Sequence, residues 1–255
     1  MSGSLVVVGT GPGKAELMTP ATLAALAKAT DLVGYGPYLA RIPATRPDQR
    51  RHASDNRVEL ERARHALSLA AAGREVVVVS GGDPGVFAMA AAVFEAVETG
   101  DPAWRTLDIR VEPGVTAMLA AAAEVGAPLG GDFCAISLSD NLKAWATIER
   151  RLRAAAEADF VIALYNPASR ARPERIRDAF ACLRKWKSEA TPVIFARAVG
   201  RDDERVTITK LGCADPDLAD MATLVIIGSS ETRLIERPGS AAPFIYTPRR
   251  YGARP

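Results

Sequence analysis

Short apolar runs alternate along the chain with stretches in which apolar residues recur every three or four positions. The runs Leu5–Val8 and Glu75–Ser80 are typical of strands in a parallel sheet that is covered on both faces. Between these two runs, Leu60, Ala63 and Leu67 fall on one face of a helix. This alternation predicts an α/β protein.

Two residues mark predicted helix starts in the first half of the chain. Thr19 precedes Pro20, and a proline at the first helical position loses no hydrogen bond, so we expect Thr19 to cap a helix. Asp55 precedes the helical pattern that contains Leu60, and we expect its carboxylate to cap that helix.

The second half of the chain begins with the same alternation and then changes. Strands are expected at Phe133–Ser137 and Phe160–Tyr165, each followed by a helix. After a strand at Val193–Ala198 the chain shows strand patterns without long helices. We therefore predict two α/β domains, residues 1–115 with a largely parallel sheet and residues 116–255 with added antiparallel strands.

Composition and charge narrow the class of protein. The 255 residues carry a formal net charge of +2 with both signs mixed, which argues against a nucleic-acid partner. The longest apolar run, Val86–Phe94, is far shorter than the ~18 residues that a membrane span requires. The chain begins without a basic and apolar leader. We expect a soluble, cytoplasmic protein with no membrane partner.

Cysteine and histidine usage argues against a metal centre. The three cysteines are widely separated, and the chain has two histidines, which is too few for a histidine-rich site. No metal is predicted. For His52 we favour a solvated loop residue over an acid/base group.

The first apolar run leads into the glycine loop Gly9-Thr10-Gly11-Pro12-Gly13-Lys14, which suggests a nucleotide-like ligand at the end of a strand. A dinucleotide fingerprint requires its third glycine one position later, and Pro12 removes an N–H that would hold a pyrophosphate. A phosphate loop is excluded because Ala15 follows the lysine. The loop suits a ligand without a pyrophosphate, and a tight turn with positive φ angles remains the simpler alternative.

A second glycine loop follows the strand at Glu75–Ser80. In Gly81-Gly82-Asp83-Pro84 the glycines allow a ligand to approach the backbone, and Asp83 offers a carboxylate to an ammonium group or to hydroxyl donors. A zwitterionic ligand with a ribose, such as S-adenosylmethionine, fits these features. The alternative is that Asp83 caps the following helix.

Five motifs in order along almost the whole chain resemble those of the tetrapyrrole (precorrin) methylase family, the class III S-adenosylmethionine-dependent methyltransferases. They are Val8-Gly9-Thr10-Gly11-Pro12-Gly13, Ser80-Gly81-Gly82-Asp83-Pro84, Glu112-Pro113-Gly114-Val115-Thr116-Ala117, Leu164-Tyr165-Asn166-Pro167 and Met221-Ala222-Thr223-Leu224-Val225-Ile226-Ile227-Gly228. Four further segments narrow the resemblance to a ring-contracting branch: Gly34-Tyr35-Gly36-Pro37-Tyr38-Leu39, Ile136-Ser137-Leu138-Ser139-Asp140, Tyr165-Asn166-Pro167-Ala168-Ser169 and Tyr246-Thr247-Pro248-Arg249-Arg250-Tyr251.

The resemblance implies two α/β domains of the tetrapyrrole methylase type, with the cofactor in the cleft between them, in a homodimer. The implied cofactor is S-adenosylmethionine, with S-adenosylhomocysteine as product. By motif position, the implied cofactor-binding residues are Pro12, Gly81, Gly82, Asp83, Val86, Thr116, Ala117, Asn166, Val199 and Thr223.

The implied activity is C-methylation of a tetrapyrrole in cobalamin (vitamin B12) biosynthesis, narrowed to C-17 methylation of precorrin-3B with ring contraction to precorrin-4. Ser139, Asp140 and Arg197 are candidates for substrate binding, although Asp140 is equally suited to cap the helix that contains Trp145. No catalytic base is identified. The alternatives are another precorrin C-methyltransferase, a nicotinamide-dependent oxidoreductase and a non-catalytic binding module.

Overall fold

The computed structural model describes residues 3–43, 45–55, 58–169, 172–239 and 242–252. The chain divides into two compact units, Met1–Ala117 and Met118–Pro255. Within the described ranges, no helix is both long enough and apolar enough to cross a membrane.

The first unit is built on a parallel five-stranded sheet with the strand order β3-β2-β4-β1-β5. Its strands are β1 (Ser4–Gly9), β2 (Asp31–Tyr35), β3 (Arg50–Ser54), β4 (Glu75–Ser80) and β5 (Asp108–Glu112). Its helices are α1 (Pro20–Lys28), α2 (Gly36–Leu39), α3 (Glu59–Ala71) and α4 (Met89–Thr99). The parallel sheet expected from the continuous apolar runs is therefore confirmed.

The connections that leave the neighbouring strands β1 and β4 run to opposite faces of this sheet. After β1 the chain enters α1, whose Leu26 packs with Val6 and Val8 on one face. After β4 the chain enters α4, whose Val93 packs with Val76 on the other face. Where adjacent parallel strands diverge in this way, a crevice opens at their carboxyl ends, and ligands of α/β proteins bind there.

The two predicted helix caps have different outcomes. Thr19 caps α1 as expected, because its hydroxyl accepts the N–H of Thr22 at 3.1 Å. Asp55 does not cap α3, which begins at Glu59 with Val58 as N-cap and no side-chain bond. The buried guanidinium of Arg62 instead binds the backbone carbonyl of Asp55. The prediction for Asp55 was wrong because α3 begins at Glu59, four residues after Asp55, and not directly beyond it.

The prediction for His52 was also wrong. The residue lies in strand β3 and not in a loop, and its Nε2 is 3.0 Å from a carboxylate oxygen of Asp31. Asp31 begins the neighbouring strand β2 and has a fully buried side chain. The run Arg50–Ser54 contains a single apolar residue, Ala53, so its pattern did not indicate a strand.

The second unit contains a five-stranded sheet with the order β10-β9-β11-β8-β7, in which β7 and β8 are parallel and the other pairs are antiparallel. Its strands are β6 (Gly126–Ala127), β7 (Phe133–Ser137), β8 (Val161–Tyr165), β9 (Pro192–Arg197), β10 (Arg205–Lys210), β11 (Thr223–Ile227), β12 (Arg233–Ile235) and β13 (Phe244–Tyr246). Its helices are α5 (Ala117–Val125), α6 (Trp145–Glu157) and α7 (Arg175–Leu183). The added antiparallel strands confirm the α/β fold class predicted for this half.

Helices α6 and α7 supply much of the core of the second unit. Ile148 of α6 and Phe180 of α7 are fully buried in one cluster with the strands β8 and β9. The ring of Phe180 meets that of Phe195 edge to face at 6.0 Å between centroids. Strands β12, β13 and β6 form a small separate sheet in the same unit.

Candidate functional site

Three loops at the carboxyl edge of the first sheet meet through glycine backbones. A Cβ atom added at Gly9 would lie 2.6 Å from the carbonyl oxygen of Gly82 and 2.7 Å from the nitrogen of Gly114. One added at Gly114 would lie 2.3 Å from the same carbonyl oxygen. Because the neighbouring atoms belong to the backbone, no side chain fits at either position. The loops after β1, β4 and β5 are thus packed backbone against backbone.

The first two of these loops are also joined by hydrogen bonds. Gly11 and Gly82 bond each other reciprocally, with N···O distances of 3.2 and 2.8 Å. Both have positive φ angles, +71° at Gly11 and +65° at Gly82, which glycine adopts without strain. Thr10 adds two bonds to the carbonyl of Ser80, one from its N–H and one from its hydroxyl. The loop glycines therefore join the two turns to each other.

Asp83 does not cap the helix that follows it. Helix α4 begins at Met89 with Ala88 as N-cap and no side-chain bond. The Asp83 carboxylate instead accepts the N–H of Gly85 at 2.8 Å through Oδ1 and that of Gly114 at 3.1 Å through Oδ2. Each carboxylate oxygen retains capacity for a further donor, so the half-buried side chain can also bind a ligand.

The other candidate residues of the first unit surround these loops. Pro12 and Thr116 are buried, whereas Val86 and Ala117 are half-buried. Gly82 faces the start of the third motif, because a Cβ added there would lie 3.8 Å from the Cα of Thr116. The structure thus brings the residues from 81 to 83 together with Thr116 and Ala117.

In the second unit, the candidate residues gather at one edge of the sheet. Strand β8 ends at Tyr165, directly before Asn166, and β9 ends at Arg197. Strand β11 runs antiparallel to both, so its first residue, Thr223, pairs with Arg197 at that same edge. Val199 lies just beyond the end of β9 and is buried.

Ser137 links two candidate residues at the ends of the parallel strands β7 and β8. Its buried hydroxyl accepts the side-chain amide of Asn166 at 3.0 Å and the N–H of Ser139 at 3.3 Å. Asn166 has a positive φ of 52°, which asparagine tolerates better than most residues. Sequence reasoning did not single out the role of Ser137, because a serine that ends a strand carries no specific pattern.

Asp140 is occupied by two ion pairs. Its carboxylate accepts hydrogen bonds from Arg172 at 3.0 Å and from Arg175 at 2.8 Å. Burial alone would raise the pKa of Asp140, but the bonds from the two arginines lower it, so the group is an acceptor with no proton to give. It does not cap helix α6, whose N-cap is Ala144.

Arg197 is likewise paired within its own unit. It donates to Asp220 and Asp203, both at 2.8 Å. The Thr223 hydroxyl bonds the same Asp220 carboxylate at 2.7 Å. Burial raises the pKa of Asp220, and the bonds from Thr223 and Arg197 outweigh this effect and lower it. These contacts join the loop that follows β9 to the loop that precedes β11.

Comparison with known proteins identifies the family. The family model for Tetrapyrrole (Corrin/Porphyrin) Methylases matches residues 4–215. The chain belongs to the tetrapyrrole methylases. The resemblance drawn from the five motifs is confirmed, and so is the α/β fold of the tetrapyrrole methylase type.

Individual relatives of this tetrapyrrole methylase are close. It is 61% identical over 251 residues to a precorrin-3B C(17)-methyltransferase from Sinorhizobium sp, covering 98% of each chain. It is 42% identical over 228 residues to a probable cobalt-factor III C(17)-methyltransferase from Salmonella typhimurium, covering 89% of this chain and 93% of that one. The crystal structure of the methyltransferase CobJ superimposes with a TM-score of 0.91 at 52% identity, covering 97% of this chain and all of the other.

Three contacts of Tyr38 at the first sheet edge were not anticipated from sequence. The ring of Tyr38 lies against the second glycine loop, where a Cβ added at Gly81 would be 2.8 Å from it. Tyr38 in turn packs edge to face on Tyr35 and lies 5.7 Å below the guanidinium of Arg41. The segment of residues 34–39 was recognised only as a mark of resemblance, and the motif itself gave no indication of its partner.

Proposed function

We propose that this tetrapyrrole methylase transfers a methyl group from S-adenosylmethionine to C-17 of precorrin-3B, in cobalamin biosynthesis, with ring contraction to precorrin-4. The observation that carries the proposal is the 61% identity to a precorrin-3B C(17)-methyltransferase over 98% of both chains. At this identity and coverage, a shared reaction is the simplest explanation. The glycine loops at the point where β1 and β4 diverge support the binding of a cofactor there.

The residues of the first unit fit S-adenosylmethionine in three respects. Gly82 leaves its backbone open, because a Cβ added there would have no neighbour closer than 3.8 Å, so a ligand can approach the second loop closely. Asp83 provides carboxylate lone pairs for an ammonium group or ribose hydroxyls. Pro12 contributes no N–H to the first loop, which suits a ligand without a pyrophosphate and disfavours the nicotinamide-dependent alternative.

We assign Pro12, Val86, Thr116 and Ala117 to the walls of the cofactor site and the Gly81–Asp83 loop to its methionine and ribose parts. For the second unit the proposal retains Asn166, Val199 and Thr223 as cofactor contacts. Their support is their common position at one sheet edge and their motif positions.

Bound S-adenosylmethionine supplies a methyl group that its sulfonium sulfur has already activated. The part left to the protein would be to align this methyl group with the acceptor carbon of the macrocycle and to exclude water. The hydrogen-bonded glycine loops and the Asp83 bridge provide a rigid support for this alignment. Ring contraction further requires proton transfer at the macrocycle, for which we name no residue.

The proposed substrate carries many acetate and propionate groups, which require cationic or hydrogen-bonding partners. Ser139 is half-buried and is positioned by its bond to Ser137, so it stays our first candidate for a substrate contact. Asp140 and Arg197 are already paired with neighbouring charges, and we propose that they act by fixing the loops that carry them.

The relative named for cobalt-factor III defines the second candidate substrate, a macrocycle that already carries cobalt. The identity of 42%, against 61% for the precorrin-3B enzyme, favours the metal-free macrocycle. We further infer a homodimer, as the family resemblance implies, and a cytoplasmic location, as expected from the sequence pattern. Light scattering of the purified protein would give the mass of the assembly, and a monomer would contradict this part.

Turnover tests the main proposal directly. The purified protein would be incubated with methyl-labelled S-adenosylmethionine and either precorrin-3B or cobalt-factor III. We expect one labelled methyl group per macrocycle with precorrin-3B, a product with the mass of precorrin-4, and S-adenosylhomocysteine in equal amount. Labelling of cobalt-factor III alone would show that it, and not precorrin-3B, is the substrate. Labelling of neither macrocycle would overturn the proposal.

A further inference from the structure

The two histidines of the chain lie side by side on the first unit. His52 is on strand β3 and His65 is on helix α3, 13 residues further along. The Nδ1 of His52 is 3.0 Å from the Nε2 of His65, and the ring centroids are 4.9 Å apart. His65 is exposed and His52 is half-buried, so solvent reaches the pair. None of the residues assigned to methyl transfer belongs to it.

A buried carboxylate orients the inner histidine. The Oδ1 of Asp31 is 3.0 Å from the Nε2 of His52, and the Asp31 side chain is fully buried. The other carboxylate oxygen of Asp31 accepts hydrogen bonds from the Arg74 guanidinium and from the Thr30 hydroxyl, both at 2.7 Å, so the ion pair with Arg74 keeps the group in its ionised form. An ionised carboxylate can only accept, so neutral His52 carries its proton on Nε2 and directs the lone pair of Nδ1 towards His65.

This arrangement is the one found behind metal-binding histidines, where a carboxylate holds one ring nitrogen and the other binds the ion. Two metal–nitrogen bonds of about 2.0–2.1 Å that meet at a right angle place their nitrogens about 2.9 Å apart. A tetrahedral angle would require about 3.3 Å. The observed separation of 3.0 Å is close to the right-angled value.

We propose that His52 and His65 form a two-imidazole chelate for a borderline divalent transition-metal ion with cis nitrogen ligands, such as Cu²⁺ or Ni²⁺. Imidazole suits both ions, and square-planar or octahedral coordination supplies the right angle. Metal binding replaces the hydrogen bond between the rings. In that bond His65 donates from Nε2, so metal binding also requires neutral His65 to carry its proton on Nδ1 instead and its exposed ring to rotate modestly, so that both lone pairs converge on the ion.

The remaining ligands of the ion would come from solvent. Among the described residues, no set of three or more histidine, cysteine, aspartate or glutamate side chains is placed to hold a metal. The charge of Asp31 is balanced by Arg74 at 2.7 Å, so the ion gains little from long-range attraction. We therefore expect exchangeable binding in the micromolar range and not a resident structural metal.

Calorimetric titration with Ni²⁺ tests the site. Cys213 is exposed and its thiol would bind the same ions, so the parent protein for the titration carries Cys213→Ser. We expect one Ni²⁺ per chain and at least a tenfold loss of affinity in the His65→Ala and His52→Ala variants. Arg64→Ala alters the exposed residue next to His65 and should bind as the parent does.

Electron paramagnetic resonance of the 1:1 Cu²⁺ complex independently gives the number of imidazole nitrogens bound to the ion. Coupling to two imidazole nitrogens is expected in the parent and to one in His65→Ala. His65 is exposed, so this variant should keep the circular dichroism spectrum of the parent. Absence of saturable Ni²⁺ binding by the parent, or equal affinity in His65→Ala, would overturn the proposal.

Discussion

The Asp83 carboxylate accepts the backbone N–H of Gly114, which lies 31 residues further along the chain, at 3.1 Å. The same side chain accepts the N–H of Gly85 at 2.8 Å. One side chain thereby fixes the shape of its own loop and joins it to the loop after β5. The acid that sequence reasoning selected for ligand binding also serves as a brace between two of the three glycine loops.

Removal of this brace should affect both stability and cofactor binding. We expect Asp83→Ala to lower the free energy of unfolding by roughly 1–2 kcal/mol, because two backbone donors lose their acceptor. Calorimetry should show at least tenfold weaker binding of S-adenosylhomocysteine. Asp101→Ala is a matched control, since Asp101 makes a similar bond to the N–H of Ala103 away from the loops. Unchanged binding in Asp83→Ala would contradict the assignment.

Gly114 should tolerate no side chain. In Gly114→Ala the new Cβ would lie 2.3 Å from the Gly82 carbonyl oxygen, so the backbone of two loops must move apart. We expect a loss of roughly 1–3 kcal/mol in the free energy of unfolding and weak or absent binding of S-adenosylhomocysteine. Gly36→Ala is the control, because nothing lies within 4 Å of its added Cβ. Thermal unfolding and the same titration would distinguish the two variants.

Asp31 should make the stability of the protein sensitive to acid. Its folded-state pKa is about 2, below the ordinary value of 3.8 for an aspartate, so its contribution to stability is fully present above pH ~4 and is lost as the pH falls towards 2. A difference of this size corresponds to about 2 kcal/mol. Denaturant unfolding of Asp31→Asn should show that loss at pH 7, and the difference from the parent should shrink below pH ~3.

The control for Asp31 is Asp108→Asn, which alters an exposed carboxylate 3.5 Å from Arg110. Surface pairs of this kind contribute little, so its effect should stay within about 0.5 kcal/mol at every pH. A constant gap between Asp31→Asn and the parent from pH 7 to pH 2 would show that the carboxyl charge is not the stabilising feature.

In the buried ion pair between Lys187 and Asp159, replacing the aspartate should lower the free energy of unfolding more than replacing the lysine. Lys187 is 2% exposed and lies 3.1 Å from Asp159, which also binds Ser230. Asp159→Asn keeps a residue suited to the positive φ of 56° but leaves the lysine charge buried alone, and we expect a loss of roughly 3–5 kcal/mol. Lys187→Met removes the buried charge and should cost less. Equal losses in chemical denaturation would contradict this explanation.

The parts of the fold that followed from sequence rest on local patterns. The four valines of β4 predicted a doubly covered strand, and Thr19 before Pro20 predicted the start of α1. The glycine positions in the motifs likewise indicated loops whose backbone has positive φ angles or approaches other atoms closely. Each of these signals is contained within about ten neighbouring residues, which is the range over which periodicity and capping operate.

The parts that were missed depend on partners that are distant in sequence. His52 bonds Asp31 on the neighbouring strand, 21 residues away, and the ring of Tyr38 lies against Gly81 in the second glycine loop. Strands β6 and β12 are two and three residues long, too short to show a period. Such residue pairs form only when the helices and strands pack together. A local sequence pattern therefore does not reveal them.

The reciprocal bonds between Gly11 and Gly82 have a consequence for the thermodynamics of ligand capture. These two residues have the greatest backbone freedom to lose, and their mutual bonds remove that freedom when the chain folds. A ligand that binds at these turns then meets a surface that is already ordered, and little configurational entropy is left to oppose its association. Affinity at this edge should therefore be set by the ligand's own contacts and desolvation, with only a small contribution from loop ordering.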